Sequence, residues 1–342
     1  MLLLGGFWMN RKRWTALGIA LAIFMISSML SFMIHGFSNK EETLTSLFSS
    51  TDKSFTEKVI EQGNENKKIV VLEIDGVIQD SGDASSFLTT SGYNHKTFIE
   101  KLKSARDDAA VRGIVIRVNT PGGGVVESAE IHHLITEIIE EKKKPVYISM
   151  GTMAASGGYY ISAPATKIFA NEETLTGSLG VILESINYSV LAEKLGIDMV
   201  TIKSGEYKDI LNPAREMTES EKEILQKMIN ESYDQFVKVI VNGRGISEEK
   251  VREIADGRIY SGRQAKELNL IDEFGYLDDT IEALKKDYRL KDAQVVKYED
   301  QSFGLASFLD MTATKFLGDR NEPLVNIIQQ PNSPRLMYLY TR

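Results

Sequence analysis

The sequence predicts an α/β fold built on a mainly parallel sheet, and three observations lead there. Apolar, β-branched runs of strand length recur in the first half of the chain. Helical stretches separate them, and glycine-rich turns follow two of the runs. Strands that alternate with helices imply a sheet covered by helices. Near-continuous apolar strands fit burial on both faces.

Taken in chain order, the first element is not part of that fold. Arg11, Lys12 and Arg13 precede an uncharged apolar run, Trp14 to Met33. About 20 residues of helix span roughly 30 Å, the thickness of a bilayer core. Trp14 stands beside the basic cluster, where an interfacial aromatic is favoured, and the positive-inside rule keeps residues 1–13 cytoplasmic. The run is longer than a signal-peptide core and no small-x-small cleavage site follows it. The expectation is an uncleaved single-pass anchor over 14–37, with the remainder extracytoplasmic. Residues 38–67, rich in Ser, Thr, Glu, Asn and Lys, read as a linker.

From Lys68 the pattern changes. Ile69 to Ile74, Ile114 to Val118 and Val146 to Ser149 are predicted strands. Phe98 to Ala105 is a predicted helix. So is Glu127 to Lys143, which sets Ile131, Leu134, Ile135, Ile138 and Ile139 on one face. After Met217 the chain turns helical. Thr218 and Glu221 have capping-box spacing at the start of a helix running to about Asn242, and Ser247–Ala255 and Gly262–Leu268 read as two short helices. The predicted α/β domain covers 68–290, with a C-terminal extension over 291–342.

Composition excludes several chemistries. The chain has no cysteine, so disulfides, thiolate metal sites and a cysteine nucleophile are out. No metal site or cofactor is expected. A net charge of -8 argues against nucleic acid as a partner. The four histidines, His35, His95, His132 and His133, are poor bases. The first lies at the membrane boundary, the second in a polar loop, and the last two are helix neighbours pointing in different directions.

Two glycine-rich turns remain as candidate chemistry. Asn119-Thr120-Pro121-Gly122-Gly123-Gly124 follows a strand and precedes a helix, at the strand end where α/β proteins bind ligands. Glycines there let backbone N–H groups approach a ligand closely; no Gly-Lys-Ser/Thr follows to make a phosphate loop. In the second turn, Met150 to Tyr160, Ser156 stands alone among small residues at a strand-to-helix junction. That setting suits a nucleophile with room for substrate. The N–H of Gly157 beside it, joined by that of Gly123, would form an oxyanion hole. One such donor contributes about 3 kcal/mol to a transition state. A lysine desolvated towards neutrality can serve as base. The segment Thr201 to Ile210 offers Lys203 and Lys208.

Residues Lys68 to Tyr276 resemble the signal peptide peptidase A (protease IV) family of serine peptidases, in its short single-unit form. The resemblance rests on Asn119–Gly124, Met153–Tyr160, Leu175–Val181, Lys203–Asp209, and Ala255–Arg258 followed by Gly262–Ala265 and Leu270–Asp272, all in order. It implies the Clp protease/crotonase superfold and a catalytic dyad of Ser156 and Lys208. It implies further that Ser178 orients the base and that Gly123 and Gly157 form the oxyanion hole. Cleaved signal peptides and other hydrophobic peptides become the expected substrates, at the extracytoplasmic membrane face. Ring-shaped homo-oligomers, in which neighbours complete the active-site chamber, are likewise implied. A crotonase-type acyl-CoA enzyme and a non-catalytic membrane scaffold are the competing classes. Neither needs a serine–lysine pair. Arg335 to Tyr340, apolar and extended behind two prolines, leaves two readings open: a packed or disordered terminus, which is favoured, or a segment that docks in an active-site groove and restrains activity.

Overall fold

The computed structural model describes residues 54–80, 93–300 and 336–340, and parts of 14–28. It divides into two units, Met1–Lys53 and Ser54–Arg342. In the first, the described stretches between 14 and 28 are helical. Among the described residues no helix is long and apolar enough to cross a membrane. Most of the predicted anchor over 14–37, and all of the cytoplasmic tail, lie outside the described residues.

The second unit is an α/β fold. Its strands are β1 (Phe55–Glu61), β2 (Asn64–Asp75), β3 (Val111–Thr120), β4 (Gly122–Gly124), β5 (Val146–Ala155), β6 (Lys167–Ala170), β7 (Leu175–Gly177), β8 (Ile259–Ser261), β9 (Glu273–Phe274), β10 (Ala293–Asp300) and β11 (Met337–Leu339). The large sheet has the order β1-β10-β2-β3-β5-β6-β9, with β7 and β8 branching from β5. Pairings from β10 to β9 are parallel; β1 against β10 and β8 against β7 are antiparallel. β4 and β11 form a separate antiparallel pair.

Eight helices are named here: α1 (His95–Asp107), α2 (Val125–Glu140), α3 (Gly157–Ser162), α4 (Ser189–Lys194), α5 (Glu219–Arg244), α6 (Glu248–Ile254), α7 (Gly262–Glu267) and α8 (Leu277–Asp287). The sheet is buried on both faces, as its apolar strands require. Val70, Leu72 and Ile74 of β2 join Ile114, Ile116 and Val118 of β3 on one face, under Leu102 of α1, Ile135 of α2 and Phe236 of α5. Ile69, Val71, Val115 and Tyr147 fill the other face, under Ile281 and Leu284 of α8. The capping box predicted at Thr218 forms: its side chain accepts from the Glu221 N–H, and the Glu221 carboxylate accepts from the Thr218 N–H.

The sheet extends beyond the boundaries read from sequence. β1 and the start of β2 occupy residues assigned to the linker, and β10 occupies residues assigned to the C-terminal extension. The reason is local. β1 is an edge strand buried only at Phe55, so it carries the charge of an exposed edge and reads as polar. It is held by pairing with β10, where Phe55 stacks on Tyr298 at 4.6 Å between ring centroids.

Candidate active site

β5 ends at Ala155 and the chain turns sharply at Ser156, whose φ of 53° and ψ of -114° lie outside the regions a serine normally adopts. A backbone held there stores about 1–3 kcal/mol and needs surrounding structure to keep it. Here the Ser156 N–H donates to the Gly177 carbonyl at 2.7 Å and the Ser156 carbonyl accepts from Tyr160 N–H at 2.9 Å. The residue is 1% exposed, and its Oγ has no hydrogen-bond partner. A buried, unpaired hydroxyl on a strained turn is a costly feature for stability alone.

The first glycine run meets this turn. β4 lies between Ile78 on one side, bridged in parallel to Gly123, and β11 on the other. No side chain fits there. A Cβ on Gly123 would stand 1.8 Å from the Ile78 carbonyl oxygen, and one on Gly122 would stand 2.1 Å from the Tyr338 carbonyl oxygen. Gly122 and Gly157 are also adjacent: the same Gly122 Cβ would lie 2.7 Å from the Gly157 nitrogen. The two glycine-rich turns, one with Gly122 and Gly123 and the other with Ser156 and Gly157, are therefore gathered at one place, with the carbonyl oxygen of Tyr338 close to Gly122 and Gly157.

Tyr338 belongs to the C-terminal strand. β11 pairs antiparallel with β4, Tyr338 opposite Gly123, and Met337 also bridges to Ile182. The register continues outward: Val125 N–H donates to the Leu336 carbonyl, and Tyr340 N–H to the Pro121 carbonyl at 2.9 Å. A peptide strand thus lies clamped on both sides, with the Tyr338 carbonyl oxygen close to Gly122 and Gly157, beside Ser156.

Ser178 stands next to Gly177, the residue bonded to Ser156, with its own φ at 50° and its N–H donating to the Arg258 carbonyl. Its side chain is mostly buried. Lys208 is elsewhere. It lies in the exposed stretch 200–208. Among the described residues its ammonium makes no hydrogen bond or ion pair, with Ser156 or any other group. The two candidate lysines are now distinguishable. Lys203 donates to Asp209 at 2.6 Å and to the Glu206 carbonyl, so it is engaged. Arg215 grips the same Asp209 and also Glu221 at the start of α5. Those contacts hold the Asp209 carboxyl well below its usual range, and the Arg215 guanidinium holds that of Glu221 down at about 2. The clamp fixes the turn bearing Lys208 and leaves its amine free.

Comparison with known proteins decides what this arrangement belongs to. Residues 138–291 match the model of peptidase family S49. An Enterococcus faecium protein provisionally named signal peptide peptidase SppA is 40% identical over 97% of this chain and 99% of its own length. Protease 4 of Haemophilus influenzae is 29% identical over 82% of this chain, a match that covers 48% of that protein. The chloroplastic serine protease SPPA of Arabidopsis thaliana is 32% identical over 64% of this chain and 33% of its own length.

The chain belongs to peptidase family S49. It is a serine peptidase of the signal peptide peptidase A type.

In this S49 peptidase the groove has a side pocket that sequence reasoning did not find. The Tyr338 ring is fully buried, stacked on Tyr160 with centroids 4.7 Å apart and tilted against Phe236 at 4.8 Å. Its hydroxyl donates to the Ser232 carbonyl at 3.1 Å. Burial pushes the Tyr338 and Tyr160 phenols up, so both stay neutral in mildly basic solution. His132 packs behind Tyr160 at 5.3 Å; burial, reinforced by His133, pushes it down to about 4. His95 is not in a loop as expected. It opens α1, buried, in contact with the Tyr93 hydroxyl at 2.6 Å and the Glu130 carboxylate at 3.0 Å. Among the described residues no group of three or more acidic or histidine side chains could hold a metal ion.

Proposed function

We propose that this peptidase is a membrane-anchored Ser–Lys endopeptidase with the Clp protease/crotonase superfold, its active site completed between neighbouring copies of the chain. The observation that carries this reading is the state of the two halves. Ser156 Oγ is buried, unpartnered and set beside the Gly123 and Gly157 N–H groups. Lys208 is exposed on a segment whose apolar side chains are also exposed: Ile186, Val190, Leu191, Leu195, Met199 and Ile202. So much apolar surface on one segment marks an interaction face. A copy docked on it takes the amine out of solvent.

In the reaction, Ser156 Oγ bonds to the scissile carbonyl carbon while its proton passes to Lys208 Nζ. The π pair moves onto the carbonyl oxygen, held by the Gly123 and Gly157 N–H groups. Collapse of that intermediate breaks the C–N bond, and the lysine returns the proton to the leaving amine. Water, deprotonated by the same lysine, then cleaves the ester. Ser178, beside Gly177, orients the amine. The substrates are signal-peptide remnants and other hydrophobic peptides at the extracytoplasmic face of the cell membrane, where the N-terminal anchor holds the enzyme.

A fluorophosphonate probe tests the chemistry. Labelling at Ser156, lost in Lys208→Ala, is expected, with a pH–rate profile rising on the basic side. Labelling at Ser156 that survives Lys208→Ala would remove the dyad.

A second reading concerns regulation, and the strand pairing of β11 with β4 favours it. The C-terminal segment takes the place of a substrate strand and restrains activity. Removing residues after Pro334 is expected to raise turnover of a short peptide several-fold; unchanged turnover would exclude the idea.

A further inference from the structure

α2 opens with Gly124 at its N-cap and carries Ser128 one turn further on, fully buried. A helical serine or threonine commonly donates its hydroxyl to the carbonyl four residues earlier. Other hydroxyls of this chain do so: Thr136 to His132 at 2.9 Å, Ser162 to Gly158 at 2.6 Å and Thr280 to Tyr276 at 2.8 Å. Ser128 does not. Its Oγ has no hydrogen-bond partner, a state shared, among the buried side-chain atoms of the described residues, only by the hydroxyls of Ser156 and Tyr298.

The direction of that hydroxyl is informative. A Cβ on Gly157 would stand 2.7 Å from Ser128 Oγ and 3.1 Å from both the Gly123 nitrogen and the Tyr338 carbonyl oxygen. The bare Cα of Gly157 therefore leaves one small space, ringed by the serine hydroxyl, an oxyanion-hole N–H and the carbonyl oxygen of the strand in the groove. A buried, unpaired hydroxyl destabilises the resting state. A donor unpaired in the ground state and paired in the transition state is the arrangement that accelerates chemistry, because only differential binding lowers the barrier. The geometry that matters is the position of the oxyanion, not of the resting carbonyl.

We propose that the Ser128 hydroxyl is a third oxyanion-hole donor, unengaged by a resting peptide carbonyl and engaged once that oxygen becomes anionic. The inference rests on the reading of Ser156 as nucleophile and of Gly123 and Gly157 as its oxyanion donors. As the Ser156 Oγ–carbon bond forms and the π pair moves to oxygen, the oxygen gains charge and leaves the plane of the peptide, and Ser128 O–H donates to it. When the leaving amine departs and the carbonyl re-forms, that bond is released.

The experiment compares the full-length wild-type chain with Ser128→Ala and Ser128→Cys. It measures kcat and KM on a peptide substrate, the inhibition constant of a peptide boronate, the Tm and fluorophosphonate labelling. Ser128→Ala is expected to lower kcat and boronate affinity together, by about a hundredfold. KM should stay within twofold and Tm should not fall, since the change deletes an unpaired polar group. Ser128→Cys keeps the shape, slightly enlarged, with a weaker donor and is expected to lower kcat as well; full activity in this variant overturns the proposal even if the alanine variant folds poorly. A raised Tm with unchanged kcat and boronate affinity in Ser128→Ala also overturns it, leaving Ser128 as a packing defect. Wild-type labelling that bypasses Ser156 would instead remove the underlying peptidase chemistry.

Discussion

The two halves of the proposed active site differ in almost every physical respect. Ser156 sits at the end of β5, in the middle of the sheet, 1% exposed and held by backbone bonds to β7 and α3. Lys208 lies on a segment where Ile202 is 97% exposed and apolar side chains face solvent. One half is built by the core of a single chain, the other by an exposed surface. On the proposed reading, nucleophile and oxyanion hole are preorganised in one copy while the base is withheld until assembly. Such a device would keep an unassembled chain inactive.

The largest effect follows from separating the halves. Ser156→Ala and Lys208→Ala are each expected to lose at least about a thousandfold in kcat. Mixed in equal amounts and allowed to exchange subunits, the two inactive variants are expected to recover about a quarter of wild-type turnover, because intact halves meet only at some interfaces. No recovery after demonstrated exchange would place both halves in one copy and break the comparison.

A smaller effect is expected from the interface alone. Ile202→Glu puts a charge on a side chain with no role in the core, so the Tm of the α/β unit should be unchanged. Sedimentation should show smaller assemblies, and turnover should fall by about tenfold to a hundredfold. Full activity in a dissociated variant would sever base from assembly.

The smallest effect belongs to the buried half. His132, behind the Tyr338 pocket, has its folded pKa lowered to about 4 by burial, while the unfolded chain takes the proton near the ordinary histidine value of 6.5. The unfolded state then binds more protons between these values, so stability is lost as pH falls from about 6.5 to 4 and is whole above 6.5. His132→Gln is expected to remove roughly 2 kcal/mol of the decline in urea-unfolding free energy between pH 7 and 4.5. An identical decline in both proteins would show that the ring is not held neutral.

Much of the surroundings of Ser156 was legible in the chain. The strands before Asn119 and Ser156, α2 with its apolar face, and the capping box at Thr218 all follow from local periodicity and spacing. Gly123 and Gly157 could be named because glycine is a local signal for backbone that must approach something closely. The edge strand β1 escaped because solvated charge hid it. Local pattern left Lys203 and Lys208 equivalent and only the family resemblance pointed to Lys208; that Asp209 holds Lys203 is a tertiary fact. Ser128 looked like any helical serine until the position of Gly157 was known.

By itself, then, the order of residues determined the α/β class, the two glycine turns, the serine that interrupts them and the apolar run behind the basic N-terminus. These are short-range properties, set by side-chain size, backbone freedom and hydrophobic period. Only the tertiary structure decided that β11 pairs with β4, that a tyrosine ring fills an aromatic pocket, and that serine and lysine do not meet in one copy. Those facts depend on contacts between residues far apart in the chain, whose loop-closure cost and burial no local pattern records.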